Sequence, residues 1–124
     1  MQQGLLISAA VLLGFIGVIH SVLGERYVFR RLFALPNLPL LRKDRAYTEH
    51  VLRYAWHLTS VAWWGFGALL LVLAFGSGGI SGLGAVVAAT LLLTGVVILM
   101  TAGLRHPAWS LFLLAGAVTL YAAW

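Results

Sequence analysis

The sequence predicts an all-α integral membrane protein, a four-helix transmembrane bundle with a long cytoplasmic connection between helices 1 and 2, forming a single domain over residues 1–124. Three observations carry this. Hydrophobic residues make up 62% of the chain and charged residues 9%, whereas soluble domains carry roughly 45–50% and about 25%. Three stretches, residues 1–24, 54–104 and 106–124, contain no Asp, Glu, Lys or Arg. All eight basic residues fall in the two segments between those stretches.

A span needs about 20 apolar residues, so the long middle stretch holds two. The break between them is GSGGISG at residues 76–82, whose flexible, exposed backbone is unsuited to hydrocarbon. The expected spans are therefore approximately residues 5–23, 54–75, 83–104 and 107–124. The first is expected to be retained and not cleaved, since no basic residue precedes it and no small-x-small site follows it. The absence of cysteine excludes thiol chemistry and thiolate ligands.

Arg26, Arg30, Arg31, Arg42, Lys43, Arg45, Arg53 and Arg105 share one face of this arrangement. The positive-inside rule makes that face cytoplasmic and both termini periplasmic. A net charge of +5 there suits anionic lipid head groups and not nucleic acid. Within the long connection, Val28, Phe29, Leu32 and Leu35 fall on one side of a short predicted interfacial helix. Pro36 and Pro39 end it. Asp44 is the expected N-cap of the next helix, and Glu49 stands four residues before Arg53, a favourable helical pairing.

Small residues recur at heptad-like spacing: Ala10, Gly14, Gly17, Ser21 and Gly24 in the first span; Ala88, Gly95 and Ala102 in the third; Ala108, Ala115 and Ala122 in the fourth. Such seams let helix backbones approach where no hydrophobic effect draws them together, so a tight bundle is expected. Tyr54, Trp56 and Trp109 would anchor the inner interface and Tyr121 and Trp124 the outer one, with Trp63 and Trp64 as deeper bulk.

Four histidines, His20, His50, His57 and His106, lie at or near the cytoplasmic ends of spans. Ionisable groups in a membrane are costly and mark functional sites. By helical rise, His20 and His57 sit at matched depth, roughly 6 to 8 Å inside the charged boundary, and His106 can reach that level from another helix. His20, His57 and His106 are therefore candidate ligands of one transition metal: zinc, iron or copper, given imidazoles and carboxylates without thiolate. Glu25, Glu49 and His50 form a second tier. His50 is about 10 Å from His57 along one helix, too far to share an ion with it. Glu25 shares no helix face with His20 unless the helix ends or bends at Gly24. Haem b is the alternative cofactor, with His20 and His57 axial, Gly17 and Gly24 leaving room for the porphyrin, and arginines holding propionates. In the bland alternative each imidazole is satisfied locally, with Ser21, Thr59 and Ser60 at hand.

The segments HSVLGER (residues 20–26), LRYAWHLTSVAWWG (52–65) and LRHPAW (104–109) resemble those of a family of short bacterial four-span membrane proteins with no assigned activity. The resemblance implies this topology and a bacterial inner-membrane setting, and assigns no residue a role. Three function classes stay open. One is a histidine-rich metal protein acting on a lipid or quinone. Another is a non-catalytic accessory subunit or anchor, as a homo-oligomer or within a larger membrane complex. The third is a haem b protein or small transporter, although the carboxylates that proton coupling needs all lie at the cytoplasmic edge.

Overall fold

In the computed structural model, which describes residues 1–76 and 78–124, the chain is helical with no strand among the described residues. Four principal helices follow in order: α1, Gln2–Leu32; α2, Arg45–Phe75; α3, Gly79–Ala102; and α4, Ala108–Ala123. The first three are long and apolar enough to cross a membrane. The fourth is apolar but has 16 residues, about 24 Å of helix against a hydrocarbon core of about 30 Å.

The expected interfacial helix is not a separate element, because α1 runs on through it. Gly24–Phe29 is π-helical and passes into Arg30–Leu32 without a break, since no residue before Pro36 denies the helix a hydrogen bond. The connection to α2 is correspondingly shorter than expected, residues 33–44. Of the apolar side predicted there, Phe29 is buried while Val28 and Leu35 stay exposed. Phe29 packs edge-on to Trp56 and stacks with Phe33.

Asp44 caps α2 as expected, accepting the Tyr47 N–H at 3.0 Å. Thr48 Oγ1 accepts the Leu41 N–H at 2.8 Å and donates to the Asp44 carbonyl. These bonds hold a turn in which Arg42 and Lys43 both take positive φ, a conformation disfavoured for side chains of that size. Glu49 pairs with Arg45, one turn back, at 2.9 Å and not with Arg53, because the continued α1 brings Glu25 to Arg53 instead. Arg45 also donates to the carbonyls of Phe33 and Leu35, tying the end of α1 to the start of α2. The two charged connections meet where Arg105 binds Asp44 at 2.9 Å. At the opposite end, α2 closes on Gly76 in the left-handed region. There the expected break at residues 76–82 is shortened, because Gly82 N–H reaches the Gly78 carbonyl and α3 begins at Gly79. Ser77 of that break lies outside the described residues.

Packing runs chiefly in chain order, α1 on α2, α2 on α3 and α3 on α4. The small-residue seam of α1 works through indoles. Trp64 lies against Gly17 and donates to the Gly14 carbonyl at 3.2 Å, and Trp56 lies against Gly24 and donates to the His20 carbonyl at 3.0 Å. A Cβ at either Gly17 or Gly24 would overlap the ring. One step deeper, Gly67 of α2 packs on Ala10. The third-span seam is buried as expected at Ala88, Gly95 and Ala102. In α4 the buried small residue is Gly116, against Leu92, while Ala115 and Ala122 are exposed. A core of Tyr54, Ile98 and Ala102, with Trp109 and Phe112 against it, closes the charged end between α2, α3 and α4.

Candidate functional site

At that end of the α1–α2 pair, Ser21, Glu25, Arg53, His57 and Ser60 form one hydrogen-bonded chain. Ser21 and Glu25 are four residues apart on α1; Arg53, His57 and Ser60 are spaced by four and three on α2. Each set therefore shares a helix face. Arg53 Nε lies 2.8 Å from Glu25 Oε1, and His57 Nε2 lies 3.0 Å from the same oxygen. His57 Nδ1 is 2.9 Å from Ser21 Oγ, which is 2.8 Å from Ser60 Oγ.

Donor chemistry sets the direction of this chain. An ionised carboxylate only accepts, so His57 Nε2 carries a proton, and in the neutral ring Nδ1 is then the acceptor. Ser21 then donates to His57, and Ser60 to Ser21. Ser60 is fully buried, while the Glu25 side chain is 40% exposed, so the chain runs from a water-accessible carboxylate into the packed interior.

The other histidines stand apart from this chain. His20 stacks on Trp56, ring centroids 4.2 Å apart, with Trp63 edge-on. Its Nε2 donates to Thr59 Oγ1 at 2.9 Å, since that hydroxyl is already donating to the Trp56 carbonyl. His106 Nδ1 accepts the Ala108 N–H, which leaves Nε2 to donate to the buried Tyr54 hydroxyl at 2.7 Å. His50 is exposed, two turns before His57 on the uninterrupted α2. No three His, Asp or Glu side chains among the described residues are grouped to hold a metal ion. For His20, His57 and His106 to share one, each ring would have to release its present partner. The room that Gly17 and Gly24 leave is filled by Trp64 and Trp56, so a porphyrin does not fit there.

Beside the chain, Ser21, Val22, Glu25, Arg26 and His57 line an open groove of about 360 Å³ on the outer surface of α1 and α2. The other main grooves are lined by mainly apolar side chains, such as Val11, Gly14, Phe15, Val18 and Trp64 higher on the same helix pair, although the groove at Gly76 and Gly79 exposes as much polar surface through its backbone.

Sequence reasoning offered Ser21, Thr59 and Ser60 as local partners for imidazole; Ser21 serves His57 and Thr59 serves His20, while Ser60 bonds Ser21 and no imidazole. It offered Glu25 as a carboxylate that orients an imidazole but weighed it against His20 and not against His57, and it missed Tyr54 as the partner of His106. The first had a visible signal, the i, i+4 pairs Ser21/Glu25 and Arg53/His57 at the same depth. The second had none, because Tyr54 and His106 are 52 residues apart. No protein-family model matches the sequence, and no curated protein or solved structure matches it.

Proposed function

We propose that the chain is a four-span bacterial inner-membrane protein, termini periplasmic, that holds the polar head of a membrane amphiphile in the α1–α2 groove at the cytoplasmic leaflet. The observation that carries this is the set of side chains lining the groove, hydroxyl, carboxylate, guanidinium and imidazole side by side where the apolar helices meet the charged end. A bilayer charges a high free energy for polar groups at that depth unless something polar meets them. Ser21 lies four residues inward of Glu25, about 6 Å along the helix, which spans the layer between charged head groups and hydrocarbon. Arg26 is exposed and in no ion pair among the described residues, leaving a cation for an anionic head group. The basic face as a whole favours such lipids. A metal or haem at the histidines is the less supported reading, because the imidazoles of His20, His57 and His106 are already engaged.

The test is native mass spectrometry of protein extracted from vesicles of phosphatidylethanolamine and phosphatidylglycerol. Wild type should retain phospholipid, and Val22→Trp, which fills the groove, should lose it. Leu12→Trp, on the exposed apolar part of α1, should not. Equal retention by both variants would contradict the assignment.

A further inference from the structure

We infer that Ser21, His57 and Glu25 form a nucleophile, base and carboxylate set that cleaves the acyl ester of the amphiphile in the groove; this rests on the groove reading above. The geometry supplies what an activated serine needs. Ser21 Oγ is within hydrogen-bond reach of an imidazole nitrogen at 2.9 Å, and the other nitrogen of that ring is held by a carboxylate at 3.0 Å. The hydrogen-bond directions derived above leave Nδ1 free to take the serine proton. Here Nδ1 faces the serine and Nε2 the carboxylate. Either imidazole nitrogen serves as base when the opposite N–H is fixed.

Arg53 holds the Glu25 carboxylate in place through its Nε, and Ser60 turns the Ser21 hydroxyl toward His57 by donating to it. Ser21, Glu25 and His57 all line the groove, so the set opens onto the surface that lipid reaches.

The substrate class follows from depth and charge. The ester carbonyls of a glycerolipid lie just below the head group, and Ser21 is about 6 Å inward of the first charge on its helix. Backbone N–H groups around Ser21 are engaged in α1, that of Gly24 with the His20 and Ser21 carbonyls. The cation that lines the same groove is Arg26, five residues outward of Ser21.

In the step, Ser21 Oγ bonds to the acyl carbon as its proton passes to His57 Nδ1. The ester C–O bond breaks, and that proton goes to the leaving alcohol oxygen. Water then attacks the acyl-serine, giving one proton to His57 and from it to Ser21 Oγ, and the fatty acid departs. Glu25 acts as a positioning residue, through the imidazole.

The full chain in vesicles of phosphatidylethanolamine and phosphatidylglycerol is treated with a fluorophosphonate probe, and fatty-acid release is followed in parallel. The probe should label wild type on the Ser21 peptide, and Ser21→Ala should abolish both labelling and release. Glu25→Gln should slow release by about 10²–10⁴-fold, with partial recovery in Glu25→Asp, a rescue that a purely structural carboxylate would not show in rate alone. Native mass spectrometry should find phospholipid retained on wild type. Wild type that retains phospholipid, is unlabelled and releases no more fatty acid than Ser21→Ala overturns the triad and leaves the groove reading standing. Wild type that retains no phospholipid overturns the groove reading itself.

Discussion

Gly14 and Gly17 stand three residues apart on α1 and should respond in opposite ways to the same substitution. A Cβ at Gly17 overlaps the Trp64 indole, whereas a Cβ at Gly14 meets nothing within 4 Å. Gly17→Ala must therefore push the ring aside. Overpacking of a close contact costs about 1–3 kcal/mol, and the displaced indole gives up its bond to the Gly14 carbonyl, worth about 0.5–1.5 kcal/mol. Alanine returns roughly 0.5–1 kcal/mol of helix propensity over glycine at both sites. The net is a loss of about 0.5–4 kcal/mol at Gly17 and a small gain at Gly14. Unfolding in mixed micelles with increasing denaturing detergent reads the difference directly, and near-ultraviolet circular dichroism reports whether the indole moved. Equal shifts in the two variants would refute the indole-on-glycine packing of α1 against α2.

Other expectations follow from single contacts. Tyr54→Phe should destabilise the charged end by about 1–3 kcal/mol, because it leaves the His106 N–H without its acceptor; the same micelle unfolding measures it. The Tyr47 N–H, and then the Arg105 guanidinium, hold the Asp44 carboxyl below its ordinary value. Its folded value lies under its unfolded one, so its stabilising contribution is complete above the unfolded pKa of about 3.9 and is lost as pH falls through the native value. Amide exchange in the first turn of α2 should accelerate over that acid range in wild type and show no such step in Asp44→Asn. Since His57 and His106 share no partner, His57→Ala and His106→Ala should add within about 0.5 kcal/mol, whereas His57→Ala and Ser21→Ala should couple. Joint loss of a bound metal in His20→Ala, His57→Ala and His106→Ala would instead show that the three imidazoles act together.

What could be read in the chain was what local chemistry decides. Asp44 before an amphipathic run announced a cap, uncharged stretches of span length announced α1 to α3, and the basic clusters announced that both connections share an end, now joined by Arg105 and Asp44. What could not be read depended on where one helix meets another. Glu49 has arginines four residues to either side, and only the arrival of Glu25 on the prolonged α1 decides which one it takes. The α4 seam was drawn one residue off, at Ala115 and not Gly116, because an almost uniformly apolar helix has no polar face to mark its orientation. At the candidate site the relative level of His20 and His57 along the facing helices was legible from helical rise. Their side-chain directions were not, and a matched depth for His20 and His57 proved compatible with wholly different partners.

The central claim is that the polar groove at Ser21, Val22, Glu25, Arg26 and His57 seats a lipid head group, and photo-crosslinking tests it most directly. Phosphatidylglycerol carrying a photoreactive group near its head, incorporated with the full chain and activated by light, should attach predominantly to residues 21–26 and to the α2 turn that carries His57. Adducts scattered over the exposed arginines of the connection, with no preference for that groove, would contradict the account.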